Sequence, residues 1–190
     1  MHPAMTHNEV QVLESFLRVS NRYLEFGSGG STFLATKFVR EAVTSVDSSQ
    51  KWLDDVKEAC IAADHTTVPT LIFENIGDIG EWGFPKDEEF RDSWPNYYNN
   101  VWKTAGKSDV DLYLVDGRFR VACFMSVLQH CLPTSIIMIH DFESREYYHC
   151  VKSVARQIAS ADDLAIFMPD NSVSASEIEA ILARHAFDPA

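Results

Sequence analysis

Ionisable side chains follow directly after three apolar runs of this sequence. Asp47 follows the first of these runs, Asp116 the second, and His140 with Asp141 the third. An imidazole has an unperturbed pKa near neutrality and can take a proton from a hydroxyl, so His140 is a candidate general base. Carboxylate oxygens suit hard divalent cations, so Asp116 and Asp141 are candidate ligands for Mg²⁺. We expect the reaction site among these residues.

The elements that would position these residues alternate between apolar runs and helical patterns. The runs are continuous rather than alternating in polarity, which is typical of parallel strands buried on both faces. The expected strands cover 23–26, 42–46, 70–73, 111–115, 135–139 and 164–168. The expected helices cover 8–20, 31–40, 50–62, 121–131, 145–159 and 176–185. This order predicts a doubly wound α/β fold, with a mostly parallel sheet and helices on both faces.

The chain of 190 residues is about one domain long, so we expect a single domain over 1–190. One connection, at about 77–104, is irregular and rich in aromatic residues. Long irregular connections in compact domains are usually lids or binding loops. Trp82, Trp94 and Tyr97 are therefore candidate substrate contacts. The alternatives are that these aromatic side chains pack on the sheet or form the contact of a homodimer.

The charge balance limits the class of partner. The net charge is −12, from 16 basic and 28 acidic residues. A nucleic-acid binder needs a basic surface to neutralise phosphates, and an anionic membrane attracts basic segments. We therefore expect a small-molecule substrate, no nucleic acid and no membrane.

Cysteine usage and the apolar runs point to a cytoplasmic location. The four cysteines form no Cys-x-x-Cys pair and have no zinc-finger spacing, so we expect reduced structural thiols. The first residues lack the pattern of a secretory signal, and no apolar stretch approaches the roughly 18 residues of a membrane span.

A glycine loop, Gly27-Ser28-Gly29-Gly30, follows the first expected strand. Glycines permit a tight turn and a close approach of backbone amides to a ligand, and the next helix offers its positive end. Asp47 ends the second strand, where a carboxylate can accept both ribose hydroxyls of an adenosine. The alternatives are that the glycines serve only the turn and that Asp47 only caps the following helix.

The pattern Glu25-x-Gly27-x-Gly29-x-Ser31 resembles the first motif of class I S-adenosylmethionine-dependent methyltransferases. The stretch from Tyr23 to Asp141 also looks like small bacterial methyltransferase-like proteins of undefined substrate. The resemblance implies S-adenosylmethionine as the cofactor, with the glycine loop beside its methionine part. It implies cofactor contacts from Glu25, Gly27, Ser28, Gly29, Ser31, Asp47, Ser48, Asp78 and Asp116.

The resemblance also frames the chemistry. We expect methylation of a small molecule on oxygen, with His140 and Asp116 as the catalytic residues. Some O-methyltransferases of this fold bind metal with carboxylates at these strand ends, which allows Mg²⁺ on Asp116 and Asp141. Arg118 is a candidate to pair with a substrate carboxylate or phosphate. Alternatively, Arg118 and Arg120 neutralise the surrounding acids.

Two other functions stay open at this point. A nicotinamide dinucleotide site requires a third glycine where this chain has Thr32, so an oxidoreductase is less favoured. A non-catalytic module of the same fold is the other alternative. It is motivated by one C-terminal edge strand of the usual family sheet that is absent from the expected elements, because only 164–168 is evident as a strand after His140-Asp141.

Overall fold

The computed structural model describes residues 1–105 and 109–190. The strands are β1 (Arg22–Phe26), β2 (Ala42–Asp47), β3 (Thr70–Phe73), β4 (Leu112–Val115), β5 (Ile136–Ile139), β6 (Ala155–Ala161) and β7 (Leu164–Pro169). The α-helices are α1 (His7–Leu17), α2 (Gly30–Phe38), α3 (Gln50–Ala62), α4 (Asn96–Asn99), α5 (Val101–Ala105), α6 (Arg120–His130) and α7 (Ala175–His185). Three 3₁₀ segments cover Glu81–Gly83, Arg91–Ser93 and Glu146–Ser153.

The described strands form one sheet in the order β3-β2-β1-β4-β5-β7-β6. Strands β1 to β5 run parallel to their neighbours, and β7 pairs antiparallel with both β5 and β6. The order reverses between β1 and β4, so the crevice at their carboxyl ends is the expected place for a ligand. The predicted doubly wound, mostly parallel fold is confirmed.

Strand β4 illustrates why the strands are apolar throughout. Leu112 and Leu114 pack into a core on the α1 side of the sheet, together with Leu13 and Leu17. The intervening Tyr113 and Val115 pack into the core on the α6 side. Since successive side chains point to opposite faces, a strand covered by helices on both sides requires apolar residues at every position.

The end of the sheet differs from the sequence-based expectation. We expected a helix over 145–159 and a missing edge strand, whereas a 3₁₀ segment is followed by the complete strand β6. Most side chains of β6 are exposed, so its sequence carries no alternating apolar pattern that would predict a strand. Its Ala, Arg and Gln content favours a helix locally, and pairing with β7 overrides that preference. The sheet therefore lacks no edge strand.

The aromatic connection divides into two parts with different surroundings. In the second part, Trp94, Tyr97 and Tyr98 are buried in the core on the α6 side of the sheet. The Trp94 indole donates a hydrogen bond to the carbonyl of Ile76 at 3.0 Å. Packing on the sheet, one of the alternatives to a lid, thus holds for this part.

The first part of the connection, residues 78–86, is a projecting loop. It is closed by backbone hydrogen bonds from Gly80 N to Phe84 O at 2.7 Å and from Lys86 N to Asp78 O at 2.8 Å. Trp82 lies at its tip with a positive φ of 57° and 81% of its surface exposed. We call residues 78–86 the projecting loop.

Among the described residues, no helix is long and apolar enough to cross a membrane.

Candidate functional site

A cavity of about 770 Å³ opens at the carboxyl ends of β1, β2, β4 and β5. Its wall includes the glycine loop, the turn after β2, the turn after β4 and the start of the turn after β5. The tip of the projecting loop and residues 2–4 of the chain complete the wall. The strand-end acids predicted from the sequence therefore do share one cavity.

The turns after β1 and β4 approach each other at two glycines. A Cβ atom on Gly27 would lie 2.6 Å from the backbone nitrogen of Gly117, and Gly27 has a φ of +97°. A Cβ atom on Gly117 would lie 2.3 Å from the Tyr97 hydroxyl and 2.8 Å from Gly27 N. Neither position has space for a side chain, and the positive φ at Gly27 also disfavours one. Glycine at both positions brings the two halves of the cavity into backbone contact.

Glu25 fixes the glycine loop through hydrogen bonds inside the protein. Its carboxylate is fully buried and accepts hydrogen bonds from the hydroxyls of Tyr23, at 2.8 Å, and Thr32. The Thr32 hydroxyl in turn accepts the backbone N–H of Gly29 at 2.9 Å. Burial raises the pKa of Glu25 to about 7, against the opposing effect of these hydroxyls. Glu25 does not line the cavity, and its observed contacts position the loop, while the cofactor contact predicted for it stays a prediction.

Thr32 occupies the position that is glycine in the nicotinamide dinucleotide fingerprint. Its side chain is fully buried and bridges Glu25 to the loop. A glycine there would remove this bridge.

Asp47 is held by backbone amides on two sides. One carboxylate oxygen accepts from Ser28 N and the other from Ser49 N, each at 2.9 Å. Burial raises the pKa of Asp47, although the amides of Ser28, Ser49 and Ser48 oppose that effect. The N-cap of α3 is Ser49, whose hydroxyl accepts the N–H of Trp52. The carboxylate of Asp47 is thus free of the capping role that was its alternative.

Trp52 is a wall residue that sequence reasoning missed. Its indole N–H donates to the carbonyl of Ser28 at 2.7 Å, and its ring lies 3.7 Å from the place of a Cβ on Gly29. Its side chain is 40% exposed and lines the cavity. The sequence placed it only on a helix near Asp47, which does not distinguish a wall residue from a surface one.

At the β4–β5 side, Arg120 joins the two strand ends. Its guanidinium lies 2.8 Å from Asp141 Oδ2 and 3.3 Å from Asp116 Oδ1, and it donates to the His140 carbonyl at 2.6 Å. Arg145 adds a second cation 2.8 Å from Asp141 Oδ2. The alternative that arginines neutralise the acids therefore holds for Arg120.

Asp116, His140 and Asp141 offer ligand atoms that all lie within 4.8 Å of one another. That spacing would suit a metal, but the same carboxylate oxygens already face the guanidinium groups of Arg120 and Arg145. A dication placed among them would meet these fixed positive charges at short range. The donor set therefore does not fit a resident Mg²⁺.

His140 lies between carboxylates from three elements. Its Nδ1 is 3.0 Å from Asp116 Oδ1 and 3.5 Å from Asp141 Oδ1, and its Nε2 is 3.4 Å from Glu9 Oε2. Burial alone would lower its pKa. The hydrogen bond and charge of Asp116, with the charges of Asp141 and Glu9, raise it to about 9. The imidazole is therefore positively charged near neutral pH.

Glu9 is a second residue that sequence reasoning missed. It is 1% exposed, and its carboxylate accepts the backbone N–H groups of Thr6 at 2.6 Å and Asp163 at 2.8 Å. It therefore ties the start of α1 to the β6–β7 turn and to His140. The signal in the sequence was the capping-box spacing of Thr6 and Glu9, which marks a helix start but gives no hint of the distant partners.

Residues 2–4 run from this anchored helix start across the glycine loop. A Cβ on Gly30 would lie 2.0 Å from the carbonyl carbon of His2 and 2.1 Å from the nitrogen of Pro3. Gly30 is thus glycine because the chain's own first residues lie against it. No motif in the sequence indicated this wall of the cavity.

Arg118 differs from its neighbour Arg120. It is 5% exposed, and its guanidinium carbon lies 3.9 Å from the centre of the Phe84 ring. Its Nε and Nη1 atoms are buried and have no hydrogen-bond partner in the described part of the chain. Burial lowers its pKa, and the charge of Arg120 lowers it further.

The remaining sequence-predicted site residues divide between the cavity and other places. Ser28, Ser31, Ser48, Trp82 and Tyr97 line the cavity together with both glycines of the motif. Asp78 is exposed at the base of the projecting loop, away from the cavity wall, and the buried Trp94 packs in the core. The cofactor contact predicted for Asp78 and the substrate contact predicted for Trp94 thus stay predictions at residues that do not line this cavity.

Solved structures with the same architecture place this cavity in a fold family. A methyltransferase-like protein from Silicibacter pomeroyi superposes with a TM-score of 0.87 at 29% identity, covering 99% of this chain and 98% of that one. The chain has the fold of class I S-adenosylmethionine-dependent methyltransferases. No protein-family model and no curated protein matches the sequence.

More distant methyltransferases of this fold have been solved with the cofactor or its product. The O-methyltransferase from Bacillus cereus, in complex with S-adenosylhomocysteine, has a TM-score of 0.60 and 14% identity, with 88% and 84% of the two chains covered. An O-methyltransferase of tomaymycin synthesis from Streptomyces achromogenes, in complex with S-adenosylmethionine, has a TM-score of 0.57 and 12% identity, with 86% and 79% covered. At these identities the likeness concerns the methyltransferase fold alone.

Proposed function

We propose that the protein is an S-adenosylmethionine-dependent methyltransferase that methylates a small molecule on oxygen. The observation that carries this proposal is the setting of Asp47, at the end of β2 beside the glycine loop. Each carboxylate oxygen accepts one backbone N–H, which leaves lone pairs for the two ribose hydroxyls of an adenosine. When bound there, the cofactor supplies an electrophilic methyl group on its sulfonium sulfur.

The rest of the cavity fits such a cofactor. Its volume of about 770 Å³ lies within the common range of small-molecule sites, roughly 300–1,000 Å³. The contact between Gly27 and Gly117 keeps side chains out of the floor where the two halves meet. Ser31, in the first turn of α2, lines the wall at the positive end of that helix.

The acceptor's proton is the main chemical problem for transfer to oxygen. His140 and Asp116 lie in the cavity wall, and a hydroxyl beside them would meet a histidine that is already protonated. The general-base role predicted for His140 then requires the imidazolium to lose its own proton first. Such a mechanism runs faster as the pH rises toward about 9.

Mg²⁺ has no part in this proposal. The carboxylates of Asp116 and Asp141 are charge-balanced by Arg120 and Arg145, so they already have cationic partners. What these residues do instead is hold the ends of β4 and β5 in a fixed relation, so that the acceptor meets a rigid wall.

Other features support a small acceptor and a working enzyme. The net charge of −12 disfavours a nucleic-acid acceptor, since phosphate recognition needs a basic surface. The motive for a non-catalytic module was a missing edge strand, and that strand is present as β6. Thr32 in place of a third glycine, locked to Glu25, speaks against a nicotinamide dinucleotide.

Calorimetric titration with S-adenosylhomocysteine tests the proposal. We expect micromolar binding by the wild type, no binding of NAD, and no change on adding EDTA or Mg²⁺. Asp47→Asn should weaken the binding at least about tenfold, because a carboxylate forms stronger hydrogen bonds to hydroxyls than an amide does. Ser49→Ala, which removes the hydroxyl that caps α3 but keeps the backbone N–H that Asp47 accepts, is the matched control and should leave the affinity within about threefold. A folded wild type that binds no S-adenosylhomocysteine would refute the proposal.

A further inference from the structure

Arg118 is the charged group of the cavity whose surroundings are incomplete. Only 5% of its surface is exposed, yet two of its side-chain nitrogens have no hydrogen-bond partner among the described residues. A buried donor without a partner costs about 1–3 kcal/mol, and more for a charged group. An arginine at such a position is explained if a bound ligand supplies the missing hydrogen-bond acceptors.

The adjacent arginine shows what a structural arginine looks like in this site. Arg120 is 4% exposed, and its nitrogens face two carboxylates and three backbone carbonyls. Arg118 forms no ion pair with a carboxylate in the described chain, and its guanidinium carbon lies 3.9 Å from the centre of the Phe84 ring. The two arginines are two residues apart and equally buried, so depth does not explain the difference.

The place of Arg118 is between the two halves of the cavity. A Cβ on Gly83 would lie 3.6 Å from Ser48 Oγ and 4.0 Å from Arg118 Cγ, so the tip of the projecting loop covers both residues. On one side the charge of Arg118 acts on Asp47, and on the other side it is affected by Arg120 and Arg145. A ligand group at Arg118 is therefore within the cavity and beneath the projecting loop.

The acids on this side of the cavity are already paired with other cations. Arg120 lies against Asp116 and Asp141, Arg145 against Asp141, and His140 against Asp116 and Glu9. In the described part of the chain no carboxylate forms an ion pair with Arg118, and two of its nitrogens have no hydrogen-bond partner there. A guanidinium matches the planar fork of a carboxylate or the oxygens of a phosphate, so an anionic group fits this place.

We propose that Arg118 binds a carboxylate or phosphate group of the methyl acceptor, so that the substrate class is small hydroxy acids or phosphate esters. This inference rests on the proposed function, because only a methyltransferase has a methyl acceptor. Phe84 stacks on one face of the guanidinium, so the anion approaches the nitrogens in the plane of the group. Trp82, exposed at the loop tip, lies where it can cover the rest of the molecule.

The first experiment needs no ligand. Arg118→Met keeps the length and apolar stem of the side chain but removes the unpaired charge. We expect its melting temperature to equal or exceed that of the wild type, because a buried charge without a partner destabilises the free protein. Arg120→Met is the matched control and should lower the melting temperature by several degrees. A fall of several degrees in Arg118→Met would make Arg118 a structural residue and overturn the inference.

The second experiment uses inorganic phosphate, an anion without demands on shape, on protein saturated with S-adenosylhomocysteine. We expect phosphate to bind the wild type at least about tenfold more tightly than Arg118→Met, with Arg118→Lys in between. Equal binding to the wild type and Arg118→Met would overturn the inference, because a general salt effect would then account for it.

The carboxylate of the cofactor is the other possible anion, and a third comparison separates the two sources. We expect Arg118→Met to bind S-adenosylhomocysteine and 5′-methylthioadenosine, which lacks the amino-acid part, with the same ratio of affinities as the wild type. A ratio that falls about tenfold in Arg118→Met would assign Arg118 to the cofactor and overturn the acceptor role. Failure of the wild type to bind S-adenosylhomocysteine would instead refute the proposed function itself.

Discussion

On the β1–β2 side of the cavity, the acid at the strand end is held by backbone N–H groups, whereas on the β4–β5 side the acids are held by arginines and a histidine. Asp47 accepts from Ser28 and Ser49, which are neutral partners. Asp116 and Asp141 face Arg120, and Asp141 also faces Arg145. Neutral donors leave the charge of Asp47 available to a ligand. The charges of Asp116 and Asp141 are paired with cations instead, and these ion pairs hold the two strand ends together.

This difference assigns separate tasks to the two sides. The β1–β2 side presents a carboxylate to bind hydroxyl groups, as a nucleoside cofactor requires. On the β4–β5 side the acids are paired with cations, and Arg118 beside them has two nitrogens without a partner among the residues that the structure describes, so it is available to an incoming anion. The following changes break or sharpen this contrast, beginning with the one that affects both sides.

Gly27→Ala should have the largest effect, because it separates the two sides at their point of contact. The new Cβ would lie 2.6 Å from Gly117 N, at a φ of +97°. We expect the free energy of unfolding to fall by more than about 4 kcal/mol, with loss of S-adenosylhomocysteine binding. Gly29→Ala is the control, since its Cβ would meet only Trp52 at 3.7 Å. Equal stability of the two variants in urea unfolding would show that the backbone contact is not needed.

Arg120→Met should damage the β4–β5 side alone. It removes the guanidinium that Asp116 and Asp141 share, and removing one member of a buried ion pair costs about 3 kcal/mol or slightly more. Arg145→Met is the control, because that side chain is 33% exposed and contacts one carboxylate, so we expect a loss below about 1 kcal/mol. Urea unfolding measures both. Similar losses in the two variants would contradict the framework role of Arg120.

His140→Gln should have a smaller effect that depends on pH. The pKa of His140 is about 9 in the folded protein, above its ordinary value of 6.5, so the charged imidazole stabilises the fold. That stability is fully present below about pH 6.5 and is lost as the pH rises through about 9. The charged groups facing the ring are Glu9, Asp116, Asp141 and Asp163.

Urea unfolding between pH 6 and 10 measures this contribution. We expect the free energy of unfolding of the wild type to fall by about 1–3 kcal/mol over that range through His140. The His140→Gln variant should show a correspondingly flatter profile. If both proteins respond to pH in the same way, the imidazole is neutral in the folded state and is free to act as a base near pH 7.

The β1–β2 side was the part of the site that the sequence predicted best, and sequence distance explains why. Asp47 and Ser28 are 19 residues apart, and the glycines between two expected strands already imply a turn at the sheet edge. His140 and Glu9 are 131 residues apart, and Thr6 bonds Asp162 across 156 residues. Partners at such distances depend on the completed fold. No local spacing of residue types encodes them.

Two further failures have other physical causes. Strand β6 is an edge strand with mostly exposed side chains, so it lacks the polarity pattern by which strands are predicted. Trp94 and Tyr97 belong to one aromatic segment, yet Trp94 packs in the core whereas Tyr97 also borders the cavity. Composition identifies such a segment as apolar but does not say which ring faces a ligand.

Residues 2–4 form a part of the cavity wall that can change independently of the sheet. His2, Pro3 and Ala4 lie against Gly30 and line the site, yet they belong to no strand or helix, and their anchor is the Thr6–Glu9 start of α1. Changes in the length or chemistry of this short stretch would leave the sheet and its hydrogen bonds intact. Substitutions at these three positions would therefore alter what the cavity admits while its interior stays the same.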